Sequence, residues 1–204
     1  MKKLFIFLTI MGFLLAMTGM AYSQAPTLNP IEELGKSIFF DKISSPDNQS
    51  CADCHGAKVG FTGPNPAINK KGAVYMGAVA QRFGNRKPPT IAYAGGSPEF
   101  HWDEINEVWV GGMFWDGRAT GETFGDPLAD QAQGPFLNPL EQNNYDALAV
   151  LTQIYYSDYA YMWEIVWGEP LSLDPADIDM NYDRVALSIA EYENSTEVNP
   201  FTSK

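Results

Sequence analysis

Cys51-Ala52-Asp53-Cys54-His55 holds both cysteines of the chain and one of its two histidines. Two thiols three residues apart with an imidazole next in line form the attachment pattern of a c-type haem. On one helical turn the thiols reach the two vinyl groups of a porphyrin, and His55 then lies beneath the ring as an iron ligand. Three other uses of the residues compete. A redox Cys-x-x-Cys pair normally heads a helix in a βαβ pattern, which is missing here. A zinc site needs a fourth ligand, and adjacent Cys54 and His55 do not readily share one tetrahedral ion. A disulfide across so short a loop would stabilise little. The motif therefore predicts one covalent haem c, held by Cys51 and Cys54, with His55 on the metal.

Outward from the motif, the patterning is helical. Asn29 and Pro30 stand at cap and first-turn positions before a run from Ile31 to Phe40 with apolar residues at helical spacing. Residues 56 to 100 contain eight Gly and five Pro and sustain no apolar period, which predicts loop with short helical turns. An irregular stretch of that length is expected to wrap an ordered body or build a site. Farther on, Tyr145, Leu148, Leu151, Ile154 and Tyr155 share a helical face. After Ser157-Asp158, the segment from Tyr159 continues to Gly168, and Asn181 is expected to cap a last helix bearing Tyr182, Val185, Ile189 and Tyr192. No stretch alternates as a strand, so the class is mainly α.

The chain has 204 residues, about one domain's worth, and 13 Lys and Arg against 25 Asp and Glu, a net charge of −12. That balance predicts an acidic exterior that repels phosphate backbones and anionic lipid surfaces, which argues against nucleic acid as a partner. At the start, Lys2 and Lys3 precede an apolar run to Met20 and small residues at Ala21 and Ser23. This is the layout of an export signal over residues 1–23, with a mature domain at 24–204 and a periplasmic destination.

Beyond the motif the chain resembles the bacterial di-haem cytochrome c peroxidases and their methylamine-oxidising relatives. The matching elements are Leu34-Gly35-Lys36-Ser37-Ile38-Phe39-Phe40-Asp41, the motif itself, Arg86-Lys87-Pro88-Pro89-Thr90, Phe114-Trp115-Asp116-Gly117-Arg118-Ala119, Gln131-Ala132-Gln133-Gly134-Pro135, Glu141, and Asn199-Pro200-Phe201. The resemblance implies a cytochrome c-like haem domain with long irregular loops around the haem, and it covers only the family's first, peroxide-reacting unit. A second haem domain normally follows where this sequence stops, so the expectation is either a mono-haem protein fed by an external donor or one half of a split enzyme.

Carried over by position, the resemblance makes Glu141 the acid that moves a proton on hydrogen peroxide and Gln131 the amide that orients the peroxide. Glu141 also reads as a first-turn helix acid ahead of Asn144, and Gln131 as a loop amide. Trp115 corresponds to the aromatic between the family's two haems, or else is a buried packing residue. Arg86 and Arg118, with Asp116, fix a turn or a haem propionate. The sixth coordination position is expected to be open, because Lys70, Lys71 and Gly72 stand where many members carry a histidine. Met76, Met113 or His101 would instead close it in an electron-carrier cytochrome. The donor implied is a cytochrome c or a cupredoxin, a second haem subunit is a further expected partner, and calcium enters by resemblance alone.

Overall fold

The computed structural model describes residues 27–200, so the export signal expected over residues 1–23 lies outside the described residues. Helix α1 (Pro30–Phe40) starts where the sequence predicts. The side chain of Asn29 accepts the Ile31 and Glu32 N–H groups, each at 3.1 Å, while Glu32 accepts the Asn29 N–H at 2.7 Å. Such a reciprocal cap is worth about 1 kcal/mol. Leu34, Gly35, Ile38 and Phe39 face inward.

The last helix, α8 (Ile178–Asn194), is the central post. It begins three residues before Asn181, contrary to the expected cap. Asn181 is buried inside the helix, donating to Ser172 O at 2.9 Å and accepting from Arg184 at 3.1 Å. Those partners let a polar residue sit within a helix that its own propensity would start or end. Against α8 lie α1, the short α4 (Pro127–Ala132) and α6 (Ala147–Tyr155), while α7 (Tyr161–Trp167) packs on α1. Between α4 and α6 sits α5 (Gly134–Leu137). Fully buried Trp163, Tyr192, Phe39 and Phe136 fill the core.

Two details of the α6 face differ from the periodicity. Tyr145 precedes the helix and is 94% exposed, because Asp146 caps the chain there by accepting the Ala149 N–H at 2.8 Å. Leu148 is also exposed, so the inward face is Val150, Leu151 and Ile154. The expected interruption is real: the Ser157 hydroxyl donates to Ile154 O at 2.7 Å, and Gly168 closes α7 with a left-handed φ of 77°.

The region after the motif is irregular, as its Gly and Pro content requires, with a 3₁₀ turn at Ala57–Val59, a helical turn α3 (Pro66–Asn69) and a second 3₁₀ turn at Ala94–Gly96. The expectation of no strand is corrected by a small hairpin, β1 (His101–Asp103) and β2 (Val108–Val110), with Trp102 opposite Trp109. Phe100 stacks on Trp109 at 4.9 Å, and Asp103 accepts the Ile105 and Asn106 N–H groups to set the turn. Strands of three residues are too short for alternation to be legible. The molecule is otherwise helical, and no helix among the described residues is long and apolar enough to cross a membrane.

Gly35 decides how close α1 and α8 come. A Cβ there would overlap the Ser188 carbonyl oxygen. Gly35→Ala should therefore force the two helices apart and cost about 2–3 kcal/mol or more, read as a lower urea midpoint with an unchanged slope.

Candidate functional site

The two thiols and the imidazole come from one turn, α2 (Cys51–Cys54), followed by His55. Asp53 fixes the start of that turn by accepting the Ser50 N–H at 2.8 Å and its hydroxyl at 3.0 Å. Cys51 and Ala52 pack against the main core. Neither thiol is in a disulfide, and burial pushes both up to about 12, so both are protonated at neutral pH. Each receives a glutamine amide: Gln142 Nε2 at 3.7 Å on Cys51, and Gln49 Nε2 at 3.6 Å on Cys54. The other end of each amide, Oε1, is buried without a partner.

His55 is oriented by backbone. Its Nδ1 lies 3.0 Å from Pro89 O and 3.3 Å from Phe61 O. Both neighbours are acceptors, so Nδ1 carries the hydrogen and the Nε2 lone pair is left for a metal. Burial lowers the imidazole pKa, with the two carbonyls acting in the opposite sense, which favours the neutral ring that ligation needs. The two carbonyls sit on separate loop segments tied together by Thr62 Oγ1 to Pro88 O at 2.8 Å and Thr90 Oγ1 to Gly60 O at 2.6 Å.

Glu141 is half-buried in the turn after α5, not in a helix: the next helix is capped by Asp146. Burial raises its pKa, while an Asn138 hydrogen bond to Oε2 at 2.9 Å and the charge of Arg118 pull it back. Its charge in turn raises the Cys54 pKa, which places the carboxyl in electrostatic reach of the motif. Gly77 makes that position accessible, since a Cβ there would overlap the Leu140 carbonyl oxygen. Gln131 is half-buried on α4, and its amide makes no hydrogen bond among the described residues.

The remaining candidates form a cationic-aromatic turn. Arg86 lies 4.0 Å over the Trp115 ring, and Arg118 lies 3.6 Å over Phe114 while pairing with Asp116 at 2.8 Å. Trp115 is 69% exposed, which overturns its reading as a buried packing residue. Among the expected sixth ligands, Met113 packs against the Leu128, Ala129 and Ala190 cluster, and His101 is exposed with Nδ1 2.7 Å from Glu99 O. The Met76 sulfur accepts the Gln81 N–H at 3.3 Å. No cluster of three or more His, Cys, Asp or Glu side chains suited to a metal ion occurs among the described residues.

The residues fit a covalent haem c. Two protonated free thiols on one turn and an imidazole with its Nε2 lone pair free are what such a group requires, and the buried amide oxygens of Gln49 and Gln142, left unpartnered beside the thiols, mark the surroundings as incompletely satisfied by the protein alone. Sequence reasoning missed Gln49, Gln142 and Asn138, which carry no motif of their own. It also missed Glu193, fully buried on α8, whose charge raises the Cys51 pKa.

The family model for di-haem cytochrome c peroxidase matches residues 29–203. Methylamine utilization protein MauG of Paracoccus denitrificans is 36% identical over 198 residues, covering 95% of this chain and 48% of that protein. The protein of the same name from Methylophilus methylotrophus is 26% identical over 136 residues, 64% of this chain and 32% of that relative. Among solved structures, the diheme peroxidase BthA from Burkholderia thailandensis superposes with a TM-score of 0.72 at 29% identity, over 87% of this chain and 41% of that one. This chain thus spans half or less of the relatives it matches, and its mainly helical architecture is their cytochrome c-like fold.

Glu193 gives a pH test of the site's interior. Burial, and secondarily the charge of Asp126, pushes its carboxyl up to about 8, and Oε2 has no hydrogen-bond partner. Between the unfolded carboxyl value and that folded value the native state holds a proton the unfolded chain has released, so stability falls as pH rises through this window. Glu193→Gln should leave the melting temperature unchanged below about pH 4 and raise it progressively towards pH 8, measured by thermal melts across the range.

Proposed function

Because the chain belongs to the di-haem cytochrome c peroxidase family, we propose that it binds one haem c through Cys51, Cys54 and His55 and reduces hydrogen peroxide with electrons from an external protein donor. The haem would supply a redox-active iron with one face left to the protein. The observation that carries this reading is the join of two free thiols, a histidine fixed by Pro89 O, and a desolvated carboxyl at Glu141 in electrostatic reach of Cys54.

Each residue has a share of the work. His55 would hold the metal through Nε2, and its Nδ1–H to Pro89 O keeps the ring from rotating. Asn138 occupies Glu141 Oε2, leaving Oε1 to take a proton from one peroxide oxygen and return it to the other, which then departs as water. With two electrons and two further protons the balance is one peroxide to two waters. Gln131, its amide uncommitted, orients the peroxide for that transfer. Trp115, exposed under Arg86, gives electrons a way in from a second haem protein, and Arg118 holds the turn that carries it. Export through residues 1–23 and a mature domain at 24–204 complete the reading, and the periplasm is where the attachment chemistry and the donors, a cytochrome c or a cupredoxin, are found.

The electron-carrier alternative needs a sixth ligand, and the partners already held by Met113, Met76 and His101 favour the open face. The purified ferric protein should therefore be high-spin by electron paramagnetic resonance and its ferrous form should take up carbon monoxide. A low-spin ferrous form that rejects carbon monoxide would remove the reading. Glu141→Gln should retain covalent haem by mass and lower peroxide turnover by about 10²- to 10⁴-fold.

A further inference from the structure

Charge is distributed very unevenly along this chain. Six of its 13 Lys and Arg residues and none of its 25 Asp and Glu residues lie between Gly56 and Pro98. The six are Lys58, Lys70, Lys71, Arg82, Arg86 and Lys87, and all are exposed. None forms an ion pair with a carboxylate among the described residues, whereas three of the other four basic side chains described there, Lys36, Arg118 and Arg184, do. Between Gly56 and Pro98 the chain thus carries cations alone, whereas the other described residues, 27–55 and 99–200, hold four Lys and Arg against 25 Asp and Glu.

That loop also exposes apolar side chains among its cations: Val59 at 46%, Met76 at 48%, Phe83 at 51% and Tyr93 at 60%. Apolar anchors with a charged surround are the anatomy of a protein-docking surface, and unpaired charge of one sign selects a partner of the other. The position matters for electrons. Pro89 is itself exposed and its carbonyl is hydrogen-bonded to Nδ1 of His55, so a partner seated on Lys87 and Pro89 is one backbone hydrogen bond from the metal-binding ring.

We propose that the Gly56–Pro98 loop is the docking surface for an acidic-faced electron-donor protein, seated beside His55. The inference rests on the donor-dependent function above and refines it, because the sign of the local surface is opposite to that of the whole chain. A basic donor drawn by the average charge would meet repulsion from the cations beside His55 and from Arg86 over Trp115.

The test titrates the full-length, haem-loaded chain with an acidic plastocyanin and, separately, with a basic mitochondrial cytochrome c. Plastocyanin should bind at low ionic strength, bind at least about tenfold more weakly to the Lys58→Glu/Lys87→Glu double variant, and lose its affinity at high salt. The Lys58→Gln/Lys87→Gln variant should be intermediate, with all three proteins sharing one optical spectrum. Stronger binding of the basic cytochrome, or equal affinity of plastocyanin for wild type and the Glu variant, overturns the proposal. So does salt-sensitive self-association in place of plastocyanin binding, or preferential binding of single-stranded RNA or anionic vesicles. Peroxide turnover with an uncharged ferrocene donor separates the two readings: if turnover is absent while docking responds to Lys58 and Lys87, the peroxidase function fails and the docking surface stands.

Discussion

The hydrogen bond from His55 Nδ1 to the carbonyl of Pro89, at 3.0 Å, is the constraint on which the site depends. A motif of five residues can supply thiols and an imidazole, but it cannot choose which ring nitrogen faces a metal. That choice comes from a segment 34 residues away, brought back over the motif by the ties between Thr62 and Pro88 and between Thr90 and Gly60. The long irregular stretch is therefore not slack between helices. Its Pro and Gly content lets the backbone present carbonyls inward where a helix would have consumed them in its own ladder.

Behind this turn the helices act as a frame. α1 and α8 approach at Gly35, and the same pair sandwiches Phe39 and Tyr192, whose ring centroids are 5.4 Å apart. Cys51 and Ala52 rest on that core, so the attachment turn is fixed from below by apolar burial and from above by backbone hydrogen bonds. Low dielectric on this side has consequences for every polar group nearby: protonated thiols, a neutral imidazole, a Glu141 whose proton is held more tightly, and a Glu193 that is neutral well above the usual carboxylate range. With water removed, each of these groups depends on burial and on its few protein partners for its protonation state.

Much of this was legible in the sequence because it rests on local rules. Asn29 with Pro30 and Glu32 writes its own helix start, Ser157 and Gly168 write their stops, and the five-residue motif declares its chemistry. What escaped depends on contacts distant in the chain or on side chains read against their type. Asn181 looks like a cap until Ser172 and Arg184 satisfy it inside a helix. Tyr145 fits a helical face that Asp146 cuts off. Gln49 and Gln142 have no pattern at all, and only folding sets them on Cys54 and Cys51. The hairpin at 101–110 is held by the stacking of Phe100 on Trp109 and not by any run long enough to show a period.

Net charge is a coarse summary for this chain, because it averages away how the charges are distributed along it. A value of −12 averages a segment that carries only cations with the helices and loops around it, which carry all 25 acids. Screening in physiological salt acts over about 8 Å, so a docking partner responds to the charges within its own footprint, not to the total. Lys58 and Lys87 flank the segments whose carbonyls hold His55, and both are exposed with no carboxylate partner among the described residues. A partner seated there has both cations within its footprint, whereas the acids, all outside residues 56–98, add to the long-range field of the whole molecule.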